Sequence, residues 1–97
     1  MLNLEWYRTF KAIYERGTLT GAAESSLITQ PGVSQQLSSL EAYMGVKLFE
    51  RQPRRMLPTP NGIHLYNQIE EAIIQLENTE ENFKSKTLLN RPKLKVV

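Results

Sequence analysis

Leu4, Tyr7, Phe10 and Ile13 recur every three residues, which puts them on one face of a helix that Asn3 can cap and that Gly17, behind Arg16, can stop. Thr18 can cap a second, short helix with Leu19, Ala22, Ala23 and Leu27 as its apolar stripe. Its paired alanines would let a neighbouring helix come close. After a turn at Leu27 and Ile28, Thr29 caps a third helix with Pro31 in its first turn, where a missing N–H costs nothing. The buried stripe of that helix is Val33, Leu37 and Leu40, and Gly45 ends it. Leu48-Phe49-Glu50-Arg51 and Arg54-Arg55-Met56-Leu57 then read as two short strands around Gln52-Pro53, a small hairpin without the Asn-Gly turn that marks such hairpins best.

Thr59-Pro60 opens a long helix, threonine as cap and proline at the first helical position. Along it Tyr66, Ile69, Ile73, Leu76 and Phe83 fall at alternating spacings of three and four, with Glu80 in the one missing slot. This is the pattern of a coiled-coil seam. Packed only against its own small domain, such a helix would leave most of the seam in water, so burial against a second copy is expected and the chain should be a homodimer. A two-fold protein carries two equivalent reading heads, which suits a palindromic partner. Asn90-Arg91-Pro92 predicts a helix end, and Leu94-Lys95-Val96-Val97 reads as the opening of a strand with no partner here, hence as the entrance to another domain. The expected divisions are 1–58, a three-helix domain with its hairpin; 59–89, a linker and dimerisation helix; and 90–97, a hinge with the first residues of a further domain.

Composition narrows what such a chain could do. Its 97 residues, 40% of them hydrophobic, suffice for one compact domain plus an appendage. Without cysteine there is neither a disulfide framework nor a thiolate metal site. Glu5 and Arg8 interrupt the N-terminus, and apolar runs are only a few residues long, so no signal peptide or membrane span is predicted and a cytoplasmic location is expected. His64 is the single histidine and there is no aspartate, so a catalytic triad cannot be assembled, and the glutamates mostly fall on solvated helix faces. No enzymatic activity, cofactor or metal is expected.

The net charge of +2 is modest, but it is unevenly spread. Lys47, Arg51, Arg54 and Arg55 cluster against Glu50 alone around the hairpin, whereas Glu70, Glu71, Glu77, Glu80 and Glu81 make the long helix acidic. Guanidinium forks suit phosphate and narrow minor grooves. For Arg51 an internal pair with Glu41 or Glu50 is an equal alternative. The polar face of the third helix carries Gln30, Ser34, Gln35, Ser38 and Ser39, uncharged groups that both donate and accept. Glutamine can pair bidentately with adenine and serine can serve base edges or phosphates, although an ordinary solvated face would look the same. Trp6, Tyr7, Phe10 and Tyr14 fit the packing of the first helix better than stacking on single-stranded bases, which points to a double-stranded partner.

Gly17-Thr18-Leu19-Thr20-Gly21-Ala22-Ala23, Thr29-Gln30-Pro31-Gly32-Val33-Ser34-Gln35-Gln36-Leu37, Leu40-Glu41, Gly45-Val46 and Leu48-Phe49-Glu50-Arg51, in this order, resemble the LysR family of bacterial regulators over residues 3–89. The resemblance implies a mainly α fold: a winged helix-turn-helix of three helices and a two-stranded wing, followed by a long dimerising linker helix that pairs antiparallel with its partner's. It implies a double-stranded DNA operator read as an interrupted dyad, with the recognition helix beginning at Gln30. It also implies a C-terminal effector-binding domain, through which alone a small molecule would act and full-length relatives become tetramers. By position, Gln30, Pro31, Ser34 and Gln35 correspond to major-groove readers, Thr18, Gln36 and Ser38 to phosphate contacts, and Arg51, Arg54 and Arg55 to wing contacts. Gln35 stands where relatives often carry arginine, which favours adenine over guanine. Gly32 replaces a commoner alanine, weakening that turn by about 0.5–1 kcal/mol. Pro53 stands where glycine or a polar residue is usual, leaving the turn type open. The rival reading is a helical protein-interaction module without DNA specificity.

Overall fold

Each of the first three helices begins at a polar side chain that takes up otherwise orphaned backbone N–H groups. The computed structural model describes the backbone of residues 2–96 and the side chains of residues 2–86. In chain order the elements are α1 (Leu4–Arg16), α2 (Leu19–Ser26), α3 (Gln30–Met44), β1 (Phe49–Gln52), β2 (Arg55–Pro58) and α4 (Pro60–Val96). Asn3 Oδ1 accepts from the N–H groups of Glu5 and Trp6 at 3.0 and 3.4 Å, Thr18 Oγ1 from Gly21 at 2.9 Å, and Thr29 Oγ1 from Gly32 at 3.1 Å. Two compact units result, Met1–Asn67 and Gln68–Val97.

Gly17 and Gly45 end α1 and α3 in the left-handed conformation, with φ of 81° and 76°. Leu27 does the same for α2, at φ 59°, without glycine's freedom. This corrects the expected apolar stripe of α2: the left-handed turn throws the Leu27 side chain outward, leaving it 91% exposed. Leu4, too, is 60% exposed, at the first residue of α1.

The core is formed by Phe10 and Ile13 of α1, Ala22 and Ala23 of α2, Val33, Leu37 and Leu40 of α3, and Leu48, Phe49 and Met56 of the wing. The Phe10 and Phe49 rings lie 5.4 Å apart and tilted, a favourable arrangement of their quadrupoles that fastens the wing to α1. Thr9, also buried, donates to Gln36 Oε1 and so satisfies the polar atoms where α1 crosses α3.

In the hairpin Phe49 faces Pro58, Arg51 faces Met56 and Gln52 faces Arg55, which leaves Pro53-Arg54 as a two-residue turn. Neither turn residue has positive φ, so the primed turns that usually close two-residue hairpins are excluded, as is type II, and Pro53 occupies the first central position, where its fixed φ fits. Each strand therefore lies one residue later than its expected span, because the proline draws Arg54 into the turn.

Glu41 is the one buried carboxylate among the described residues, 8% exposed, and its Oε2 accepts from the N–H groups of Leu48 at 2.8 Å and Phe49 at 3.3 Å. It stands in for the strand partner that these two groups lack. Glu41→Ala removes charge-assisted bonds and leaves two buried donors unpaired, and is expected to lower stability by about 3 kcal/mol. Urea unfolding of Glu41→Ala beside Glu41→Gln checks this, since glutamine keeps one acceptor and should recover part of the loss.

The entry to α4 is bound to the same segment. Thr59 donates its N–H to Leu48 O at 3.0 Å and its hydroxyl to Lys47 O at 2.7 Å, while Thr59 Oγ1 accepts from Gly62 N at 3.0 Å. The helix runs to Val96, beyond the end that Pro92 predicts near residue 89 and through Leu94, Lys95 and Val96, where the opening of a strand is expected. A strand needs a neighbour to complete its hydrogen bonds, and among the described residues none pairs with this segment, whereas a helix closes most of its own. The side chains of that segment lie outside the described residues. Among the described residues no helix is long and apolar enough to cross a membrane.

Candidate nucleic-acid interface

A helix turns about 100° per residue, so Gln30, Ser34 and Ser38, four apart, share one face of α3, with Pro31 and Gln35 beside them. Gln30, Pro31, Gln35 and Ser38 are exposed and Ser34 is half-buried. The Gln30 carbonyl is held: Oε1 accepts from Thr20 Oγ1, in the first turn of α2, at 3.2 Å, leaving the amide N–H groups to face outward as donors.

The wing meets this face. Alternate strand residues share a side, so Arg51 points with Phe49 toward α3. Its guanidinium donates through Nη1 to Ser34 Oγ at 2.7 Å and through Nη2 to Ser38 Oγ at 3.1 Å and Ser34 O at 3.5 Å. The internal pairing left open by the sequence thus goes to α3 serines, Glu41 being committed to backbone N–H groups. At the turn, Arg55 Nε donates to Gln52 Oε1 at 3.3 Å, and Arg54 is exposed beside it. Thr18, Thr20, Gln30, Gln52, Arg54 and Arg55 line one shallow hollow, so the α2 N-terminus, the α3 N-terminus and the wing tip belong to a single surface.

Gln36 lies apart from that surface. It is half-buried, with Oε1 turned to Thr9 of α1, and its amide N–H groups are donors for a further partner. In the proposed seam, Tyr66 is engaged within its own unit: its ring stacks on Tyr14 with centroids 3.9 Å apart and planes 4° from parallel, and its hydroxyl donates to Glu15 Oε2 at 2.7 Å. Ile69 and Ile73 are half-buried, and Leu76 and Phe83 are exposed. The Tyr66 hydrogen bond, then that from Lys11 and the charges of Lys11 and Arg16, hold the Glu15 carboxyl below its ordinary 4.5 against the opposing effect of burial. A depressed folded value stabilises above 4.5 and is lost as pH falls through it, a small contribution because the carboxylate is 44% exposed.

Four contacts here escape sequence reasoning: Thr20 with Gln30, Thr9 with Gln36, Arg51 with the serines, and the close approach of Gly62 to Leu48. Only the last left a signal, a glycine inside the first turn of a predicted helix, which implies close backbone approach.

A sequence model described as the bacterial regulatory helix-turn-helix protein, lysR family, matches residues 4–63. The chain belongs to the LysR family. This LysR-family chain is 38% identical over 86 residues to the HTH-type transcriptional regulator DgcR of a Pseudoalteromonas species, covering 86% of the chain and 30% of that relative. It therefore spans less than a third of the relative's length. Among solved structures it is similar to the BenM_DBD/benA site 1 DNA complex, at 30% identity and TM-score 0.80 over 87% of this chain and 98% of that one. A second similar structure is VV2_1132, a LysR family transcriptional regulator, with 29% identity and TM-score 0.74 over 86% of this chain and 30% of that one. The winged helix-turn-helix expected from the sequence is thus the fold of the LysR family.

Proposed function

We propose that this chain binds double-stranded DNA sequence-specifically, as the operator-reading part of a LysR-type transcriptional regulator in the cytoplasm, at the nucleoid. The observation that carries this is the continuity of the α3 polar face with the arginine-bearing wing tip across one hollow. α3 enters the major groove, where Gln30, Pro31, Ser34 and Gln35 meet base edges, while Thr18, Ser38 and the free amide nitrogen of Gln36 serve phosphates. Arg54 and Arg55 lie on the adjacent backbone or minor groove. The likeness to a BenM_DBD complex with DNA supports this docking. Relatives are described as transcriptional regulators, and the site reads DNA without chemistry upon it.

The DNA-reading domain occupies 1–58 and the linker helix 59–89, and two chains pair through Ile69, Ile73, Leu76 and Phe83, with Tyr66 securing the base of the helix. The dimer reads an interrupted dyad; tetramer formation and small-molecule control belong to the effector-binding domain of the full-length regulator, entered through residues 90–97. Selection of duplexes from a random pool by the purified chain, over a salt series, tests the reading. Enrichment of a dyad with salt-sensitive affinity is expected. A folded dimer that enriches no motif would favour the protein-interaction module. Phe83, 68% exposed in the single chain, is expected to bury its ring against the second copy, so Phe83→Glu should weaken the dimer at least tenfold in sedimentation equilibrium.

A further inference from the structure

α3 contains no lysine or arginine, so the helix read here as the major-groove element brings no cation of its own to DNA. The wing supplies one. Arg51 is carried on β1 opposite buried Met56, yet its guanidinium sits across Ser34 and Ser38, bridging two residues one helical turn apart. We propose that Arg51 is a specificity-determining positioning residue, which sets the Ser34 and Ser38 hydroxyls as hydrogen-bond donors to DNA. The inference rests on the reading of α3 as the helix in the major groove.

The reason lies in the hydrogen-bonding inventory. A guanidinium only donates, whereas a hydroxyl has one proton and two lone pairs. Each serine therefore accepts from Arg51 and keeps its proton for another partner, and neither donates to any group among the described residues. The adjacent cation polarises both O–H bonds and strengthens them as donors. Donors of this kind select purine N7, guanine O6, thymine O4 or phosphate oxygen, and they reject the exocyclic amines of adenine and cytosine. Lysine would keep the charge but offers a single point in place of the fork, and could not hold both serines in one geometry.

The test compares wild type, Arg51→Lys, Ser34→Ala and the double variant, on the duplex that wild type selects from a random pool and on an unrelated duplex, across a salt series. Arg51 is exposed and outside the core, so each variant is expected to melt as wild type does. On the selected duplex each single variant should lose roughly tenfold in affinity. The double variant should lose no more than the weaker single one, and on the unrelated duplex the losses should be clearly smaller, since only the Ser38 contact to phosphate is shared there, with one salt slope for all four. Arg51→Lys binding like wild type, or single losses that multiply in the double variant, would make Arg51 an independent phosphate contact and overturn the inference alone. Wild type preferring no duplex over another would overturn both this inference and the reading beneath it.

Discussion

Gly62→Ala should destabilise the N-terminal unit by roughly 3 kcal/mol, the upper end of what overpacking a close-packed site costs. A Cβ at position 62 would stand 2.1 Å from Leu48 O and 3.1 Å from Leu48 C. These are backbone atoms, and they are doubly tied: Leu48 O accepts from Thr59 N, and Leu48 N donates to the Glu41 carboxylate. Moving Leu48 away from the methyl group would therefore stretch the attachment of α4 and the buried bonds of α3 together. Helix propensity points the other way, since alanine is favoured over glycine inside a helix by about 0.5–1 kcal/mol. The sign of the measured change thus decides between the two effects. Denaturant unfolding of the isolated chain reads it, and a rise in midpoint would mean that the first turn of α4 does not rest on Leu48.

Gly62 also marks the boundary between what the sequence makes legible and what it does not. The caps at Asn3, Thr18 and Thr29 and the stripes Phe10–Ile13 and Val33–Leu37–Leu40 were readable because helices repeat locally, so cap and stripe lie within a few residues of one another. Leu27 departs from its expected burial for a related reason: its place at helical spacing is real, but α2 ends one residue earlier, and a left-handed turn overrides periodicity. The other differences depend on residues far apart in the chain. Tyr66 matches the coiled-coil spacing, yet Tyr14 and Glu15, about fifty positions earlier, take up its ring and hydroxyl. Arg51 carries no local sign that its partners are two serines on α3. The polar face of α3 is itself legible in the sequence; that its serines are held by the wing is a property of the fold.

The wing tip offers the largest expected effect on binding. Replacing Arg54 and Arg55 together by alanine removes two cations per chain and four from a dimer on its operator. Each phosphate neutralised releases condensed counterions and contributes about 0.9 to the slope of log affinity against log salt, so the slope should flatten by between three and four. At about 0.15 M salt that corresponds to roughly a thousandfold weaker binding. Both residues are exposed, and the hydrogen bond from Arg55 Nε to Gln52 Oε1 leaves the terminal guanidinium nitrogens of Arg55 to face phosphate, so folding should be untouched. The loss should be equal on selected and unrelated duplexes, because phosphates carry no sequence. Titration of both duplexes at several salt concentrations measures it, and an unchanged slope would remove the wing tip from the interface. The contrast with Arg51→Lys is the sharper point: one wing position is expected to change preference without changing the slope, and its neighbours three and four residues on are expected to change the slope without changing preference.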